Sequence, residues 1–526
     1  MEVETVADEM DAEAPKYSFD SLCAFPEDAR AWDALLREAK PDTGPFAKFW
    51  ALLLASDVAD GARLCNFGAC DALGRPACGP RLFLRECFAR LWNAIRTVQR
   101  PFCRVAVAGG PGVGKTMFMA YCLLRLSKAD PAPLIALDLG HGKAMRFIRG
   151  PDVRRVSDPD AIEELLECRS CVYLSDGVPP RDCCGRAIYF AADGRAAPAA
   201  FHGLLCRRLF LPPWTLDEMQ ICGILCHPDV PESEIRRCFA LFGGRAGVVF
   251  PHARRAEALI ETRRAIRSSD VEGVLEAAEE WCVGGGLGQG DRVLVSVPGP
   301  DFGSVSCGFH SQYVADEWVR AAARDRAAGL WGAVAGGRGE ACGGVVESAW
   351  EAAAHNLLPG RRWVARGLAS GGEVVLNMLG VSMEWTPGNC WPMVDVEERR
   401  YYRPDCKALF SVDALYVVPP QVHVFKMTAG REIDVNAAGI IKVVDHVKER
   451  LPHHLGWAVN LHFVAPEGCG LGAPQRYITR SGKNYDVKNT MLEKVNQYVL
   501  EVGQADFERH LSQGGSGEAG RHWALK

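Results

Sequence analysis

This chain lacks any apolar run near the roughly 18 residues that a membrane-spanning helix requires. Its N-terminus, MEVETVADEMDAEAP, is acidic and has no apolar core, so it does not read as a secretory signal. It also lacks a basic excess. The formal charge of -5 argues against a wholly basic nucleic-acid binder and leaves only local basic patches. There is no internal repeat, which sets aside repeat architectures. Cysteine, by contrast, is plentiful: 21 residues, an odd number. Without a secretory signal they read as reduced thiols of an intracellular protein, in nucleus or cytoplasm. Cys168 and Cys171 form a C-x-x-C, but the following Cys183-Cys184 pair lacks zinc-ligand spacing. Buried thiols are the simpler reading.

What is present is GGPGVGKT, which fills every fixed position of the phosphate-loop pattern G-x-x-x-x-G-K-[ST]. Gly109, Gly110, Gly112 and Gly114 permit the tight turns that aim backbone N–H groups at phosphate oxygens. Pro111 and Val113 occupy free positions of the pattern. Lys115 suits the β- and γ-phosphates, and the Thr116 hydroxyl suits Mg²⁺. Val105-Ala106-Val107-Ala108 before the loop reads as a buried strand, and Met117 to Leu126 after it as a helix. Further on, Cys171 to Asp176 reads as a strand ending in an acid, whose carboxylate would hold Mg²⁺ through water or Thr116. The next residue is Gly177, where many P-loop ATPases carry a catalytic Glu. Arg254 and Arg255 are positional candidates for an arginine finger.

The length suggests about two to four domains. Residues 1–16 read as a disordered acidic N-terminus and 17–80 as a helical region. Residues 81–270 form the expected P-loop domain, with a helix over Leu82–Val98 and strands at 133–138 and 187–192. Thr215 to Glu218, T-L-D-E, fits a capping box. Alternating strands and helices predict a parallel sheet with helices on both faces. A glycine-rich connection spans 271–340, with a boundary near 340. A second α/β domain covers 341–505, and 506–526 form a flexible tail.

In that second domain, Val345–Leu358 reads as a helix with Glu347, Glu351 and His355 at i, i+4 spacing. Strand-like runs follow at 374–376, 411–418 and 422–427, placing Asp413 on one and Lys426 on another. An acid on a helix, then a hairpin carrying Asp and Lys, is the layout of restriction-endonuclease-like nucleases. There Glu351 and Asp413 would bind Mg²⁺, and Lys426 would activate water and stabilise developing charge. Solvated surface charge is the competing reading. Arg361, Arg362, Arg366, Arg399, Arg400 and Arg403, interleaved with Trp363, Tyr401 and Tyr402, suit either a phosphate-backbone contact or a solvated charged face.

Several stretches together resemble the Crinkler and retrotransposon hot spot proteins, which join a P-loop NTPase to a restriction-endonuclease-like domain. They are LFLRECFARLW (82–92), VAGGPGVGKTMFM (107–119), VYLSDGVPP (172–180), LPPWTLDEM (211–219), FGG (242–244), VVESAWEAAAHNLL (345–358), YYRPDCKALFSVDALYVVP (401–419) and FKMTAGRE (425–432). The resemblance implies nucleotide binding by Gly109, Gly114, Lys115, Thr116 and Asp176. It implies nuclease roles for Glu351, Asp413 and Lys426-Met427-Thr428. Three positions depart from the family: Lys426 replaces a usual Gln, Ile433 stands near a usual His, and Gly243–Gly247 (GGRAG) replaces Gly-Gly-x-Pro-Arg.

The expected protein is an intracellular ATP- and Mg²⁺-binding NTPase that controls a nuclease-like domain acting on DNA or RNA. The alternative is an ATP-gated interaction protein whose C-terminal domain binds nucleic acid or a chromatin partner without cutting. A plain P-loop kinase fits less well, because the long C-terminal part has no recognisable acceptor site.

Overall fold

The computed structural model describes residues 39–58, 61–98, 104–130, 132–140, 144–178, 180–191, 206–252, 257–283, 292–336, 342–381, 383–386, 396–404, 412–430, 433–454, 456–479 and 481–513. The expectations for 1–16, for the start of the 17–80 region, for Arg254 and Arg255 and for the last part of the 506–526 tail lie outside these residues; the first part of that tail is not flexible, because Gln504–Gln513 is a helix that buries Phe507 and Leu511. The protein is mixed α/β. It divides into two compact units: one is residues 1–239, 243–258 and 280–306, and the other is residues 240–242, 259–279 and 307–526. The main division thus falls at 306/307 and not near 340. The helix Gln312–Ala335 packs along Gly343–Leu357, and both lie inside the second unit.

The first unit holds an eight-stranded sheet. Its strands are β1 (Lys40–Pro41), β2 (Arg104–Ala108), β3 (Leu134–Asp138), β4 (Met145–Arg149), β5 (Asp152–Val156), β6 (Cys171–Asp176), β7 (Arg186–Phe190) and β8 (Cys206–Phe210). The spatial order is β1-β5-β4-β3-β6-β7-β2-β8. The run from β3 through β6, β7 and β2 to β8 is parallel, while β4, β5 and β1 add an antiparallel edge. Alternate residues feed separate cores. Val105, Val107, Ile135 and Leu137 join one, while Ala106, Leu134 and Ala136 join another with Ile162 and Leu165 of the helix Pro159–Glu167. Each fully buried Val or Leu contributes about 1.5–3 kcal/mol.

Helix α1 (Pro45–Ala55) and helix α2 (Glu86–Arg96) pack on the first core. In α2, Phe88, Leu91, Trp92 and Ile95 form the buried stripe at helical spacing. The expected helix over 82–98 is shorter than predicted. Arg81–Phe83 pairs as a strand with Leu64–Asn66, and the extended Arg85 precedes the first helical turn. A short apolar run such as Leu82-Phe83-Leu84 carries no periodicity that separates strand from helix. Helix α3 (Lys115–Ser127) follows β2 directly, and helix α4 (Leu216–Cys226) opens with the full Thr215–Glu218 capping box. Helix α5 (Ala246–His252) starts within the Gly243–Gly247 stretch.

The second unit is built on its own eight-stranded sheet. Helix α6 (Gln312–Ala335) and helix α7 (Gly343–Leu357) precede β9 (Arg362–Gly367), β10 (Glu373–Asn377), β11 (Met383–Thr386), β12 (Tyr401–Pro404), β13 (Ala414–Val418) and β14 (Gln421–Met427). Helix α8 (Ala437–Arg450), β15 (Ala458–Pro466) and β16 (Asn496–Val502) follow. The order is β10-β9-β16-β15-β14-β13-β12-β11. Strands β12, β13 and β14 form an antiparallel meander, and β15 returns parallel to β14 after α8. Helix α8 buries Ile440, Val443, Val444 and Val447 against Leu415, Val417, Val422 and Val424. Helix α7 is tied to the sheet by Trp350 Nε1 donating to the Val464 carbonyl at 2.8 Å. Among the described residues no helix is long and apolar enough to cross a membrane.

Candidate functional site

Two separate clusters hold the residues singled out from the sequence. The first surrounds the loop between β2 and α3. Gly109, Gly112 and Gly114 have φ of 152, 79 and 101°, where a side chain would be strained. Lys115 is buried, and its ammonium donates to the carbonyls of Gly109 at 2.9 Å and Gly110 at 3.1 Å. Thr116 donates its hydroxyl to both carboxylate oxygens of Asp176, at 3.2 and 3.1 Å. Asp176 ends β6, one strand removed from β2 across β7. Gly177 follows it with a φ of 71°, so the chain turns away at the position where an acid is absent.

Three successive carbonyls of the loop are held from outside. Arg245 Nε donates to Pro111 at 3.1 Å, the Gly247 amide to Gly112 at 2.9 Å, and Trp214 Nε1 to Val113 at 2.8 Å. In a trans peptide the N–H points opposite to the C=O. Fixing these carbonyls outward therefore aims the amides of Gly112, Val113 and Gly114 the other way, which is the geometry a phosphate cradle needs. Arg85 strengthens the brace. Its buried guanidinium reaches the carbonyls of Pro212 and Pro213 at 2.9 Å each, and Glu218 at 2.9 and 3.1 Å. The GGRAG stretch thus lies directly on the loop through Arg245 and Gly247. Sequence reading missed Arg85, Trp214 and Arg245, because each acts on the loop from a distant segment. It also missed Arg75, which pairs with Asp176 at 3.0 Å.

The second cluster lies where α7 meets the β13–β14 hairpin. Asp413 stands immediately before β13, and its amide donates to the Phe425 carbonyl at 2.9 Å. The Lys426 ammonium sits 3.0 and 3.1 Å from the Asp413 oxygens, and the Met427 amide donates to Asp413 at 2.7 Å. Burial pushes the Asp413 carboxyl above its ordinary range; Lys426 opposes that and the Glu351 carboxylate adds to it. Burial works to lower Lys426, but Asp413, Glu351 and Glu347 together hold its ammonium above the ordinary value. Glu351 on α7 therefore belongs to the same electrostatic group. Its oxygen is also 3.9 Å from His355 Nε2. His355 is fully buried, bonds Tyr401 through Nδ1 at 2.8 Å, and is pushed down to about 3 by burial and the nearby Arg403 charge.

The proposed basic and aromatic contact surface needs correction. Arg403 is buried in a bidentate pair with Asp316 at 2.9 and 3.1 Å, and Tyr401, Tyr402 and Trp363 are core side chains. Both faces of β12 are covered: Tyr402 joins the α8 core, while Tyr401 and Arg403 meet His355 and Asp316 on the other side, so these side chains cannot meet a nucleic-acid backbone. Arg362 remains exposed on β9, and Arg400 pairs with Glu397 at 2.7 Å. Cys168 and Cys171 are buried and not joined in a disulfide, and no group of three or more His, Cys, Asp and Glu forms a metal cage among the described residues. Ile433 packs beside the α8 core and donates its amide to Gln475 at 2.7 Å.

No family model matches the chain, and neither does any curated protein or solved structure.

Proposed function

We propose that the first unit is a P-loop NTPase that binds ATP with Mg²⁺, and that it governs a restriction-endonuclease-like second unit acting on DNA or RNA, as in an intracellular protein of Crinkler or retrotransposon hot spot type. The observation that carries the first half is the meeting of Lys115, Thr116 and Asp176 at a glycine loop whose carbonyls are braced outward. The donor set fits the ligand. Amides and an ammonium suit phosphate oxygens, and a hydroxyl beside a carboxylate suits Mg²⁺.

The second half is supported by Asp413 and Lys426 on one hairpin, with the Glu351 charge acting on both. Mg²⁺ keeps most of its water and needs only one or two carboxylates, so Glu351 and Asp413 suffice without a larger cage. A bound cation there would polarise a phosphodiester. Lys426 would steady the charge that builds on the phosphate.

Calorimetric titration of the full chain with ATP tests the first half. Binding should be measurable in the intact protein and fall about a hundredfold in Lys115→Ala, the loss expected when a charge-assisted phosphate contact is removed. Unchanged affinity in that variant would overturn it. The non-cutting alternative is favoured by Ile433, an apolar residue packed beside the α8 core where the resembled family usually has a His nearby. It predicts nucleic-acid binding without Mg²⁺-dependent cleavage.

A further inference from the structure

Arg75 is not part of the phosphate-loop pattern, yet it occupies the acid that would serve the metal. One terminal nitrogen lies 3.0 Å from Asp176 Oδ2, and the other donates to the Leu139 carbonyl at 2.6 Å. Its Nε is buried and has no hydrogen-bond partner. The seat on Asp176 is therefore only partly satisfying for the guanidinium.

The backbone that delivers Arg75 is fixed by its neighbours. Leu73 is buried at a φ of 58°, an unusual conformation for a non-glycine residue. Gly74 has a φ of 64°, and a Cβ there would come within 2.5 Å of the Phe46 amide nitrogen at the start of α1. Pro76 comes next, its φ fixed by the ring, and favours the extended backbone that Arg75 adopts. Such over-determined strain at a turn indicates a side chain aimed on purpose.

The two partners of Asp176 differ in what they permit. Thr116 gives its hydroxyl proton to Asp176 and keeps its lone pairs for a cation. Arg75 brings a positive charge to the same carboxylate, which opposes a second cation there.

We infer that Arg75 is a positioning residue that competes with Mg²⁺ for Asp176, so that metal loading replaces a guanidinium instead of simply adding an ion. The inference rests on the P-loop reading of the first unit. The Leu139 carbonyl remains as the tether while the other nitrogen leaves the carboxylate. Arg75 then acts on the cation and leaves nucleotide affinity without metal untouched.

The test compares ATP affinity in EDTA and in MgCl₂ for the full chain, for Arg75→Gln and for Arg75→Lys. Removing the charge should increase the Mg²⁺-dependent gain in affinity roughly fivefold, the scale of one partly exposed ion pair. Arg75→Lys, which keeps the charge, should retain the wild-type gain. Affinity in EDTA should stay the same in all three proteins. An unchanged Mg²⁺ gain in Arg75→Gln overturns the inference and leaves the P-loop reading standing. Lost affinity in EDTA also overturns it, since Arg75 would then support the loop or touch nucleotide directly. Absence of ATP binding by the wild type removes both.

Discussion

The loop cluster of the first unit is made of backbone, whereas the Asp413 cluster of the second is made of side chains. In the first, glycines with positive φ set the path, and Trp214 and Arg245 act from a distance by holding carbonyls. In the second, the hairpin supplies an Asp and a Lys, a helix supplies a Glu, and burial sets their charge states. A backbone site needs a contiguous glycine pattern and tolerates changes in the braces one at a time. A side-chain site needs several elements in register and is sensitive to any charge left alone.

That contrast is sharpest at the buried pair behind the second cluster. Asp316→Ala takes the bidentate carboxylate from the buried Arg403 guanidinium and should destabilise the second unit by about 3–5 kcal/mol. Chemical denaturation would detect it as a large fall in midpoint. Only a small change would mean that Arg403 finds water on losing Asp316.

The second unit should also be the more acid-sensitive. His355 is held near 3 and His423 near 4, chiefly by burial, against an ordinary value of about 6.5. The folded state binds fewer protons than the unfolded state between these values. The stability from neutral burial is present above 6.5 and is lost as pH falls towards the folded values. From pH 6.5 to 5.5 the two should together cost about 2 kcal/mol, read as a drop in melting temperature of the intact protein. His423→Phe should flatten that dependence. A melting temperature indifferent to pH over this interval would contradict the burial account.

The smallest effect belongs to the backbone site. A Cβ at Gly247 would sit 2.9 Å from Gly112 Cα. Gly247→Val should push α5 off the loop and weaken ATP binding about tenfold, a typical cost of overpacking. Wild-type affinity in that variant would show that the loop keeps its shape without this brace.

The same contrast explains what could be read from sequence. Gly109–Thr116 and the strand before it were legible because the pattern is local and each residue has one physical role. The capping box at Thr215–Glu218 was legible for the same reason. Asp413, Glu351 and Lys426 could be placed on elements by periodicity, but only the fold gathers them into one electrostatic group. Arg75 and Arg85 carried no signal, since a lone arginine in a loop does not reveal which carboxylate or carbonyl it will meet. Arg403, Tyr401 and Tyr402 were misleading. Their composition suggested a contact surface, but the fold covers both faces of β12 and takes all three into the core.

The most direct test of the central claim is Mg²⁺-dependent cleavage of mixed single- and double-stranded nucleic acid by the full chain, with and without ATP, beside Asp413→Ala. The account predicts cleavage that requires Mg²⁺, changes with ATP, and disappears in Asp413→Ala while ATP binding persists. Intact ATP binding with no cleavage by the wild type would contradict it and assign the second unit to binding alone.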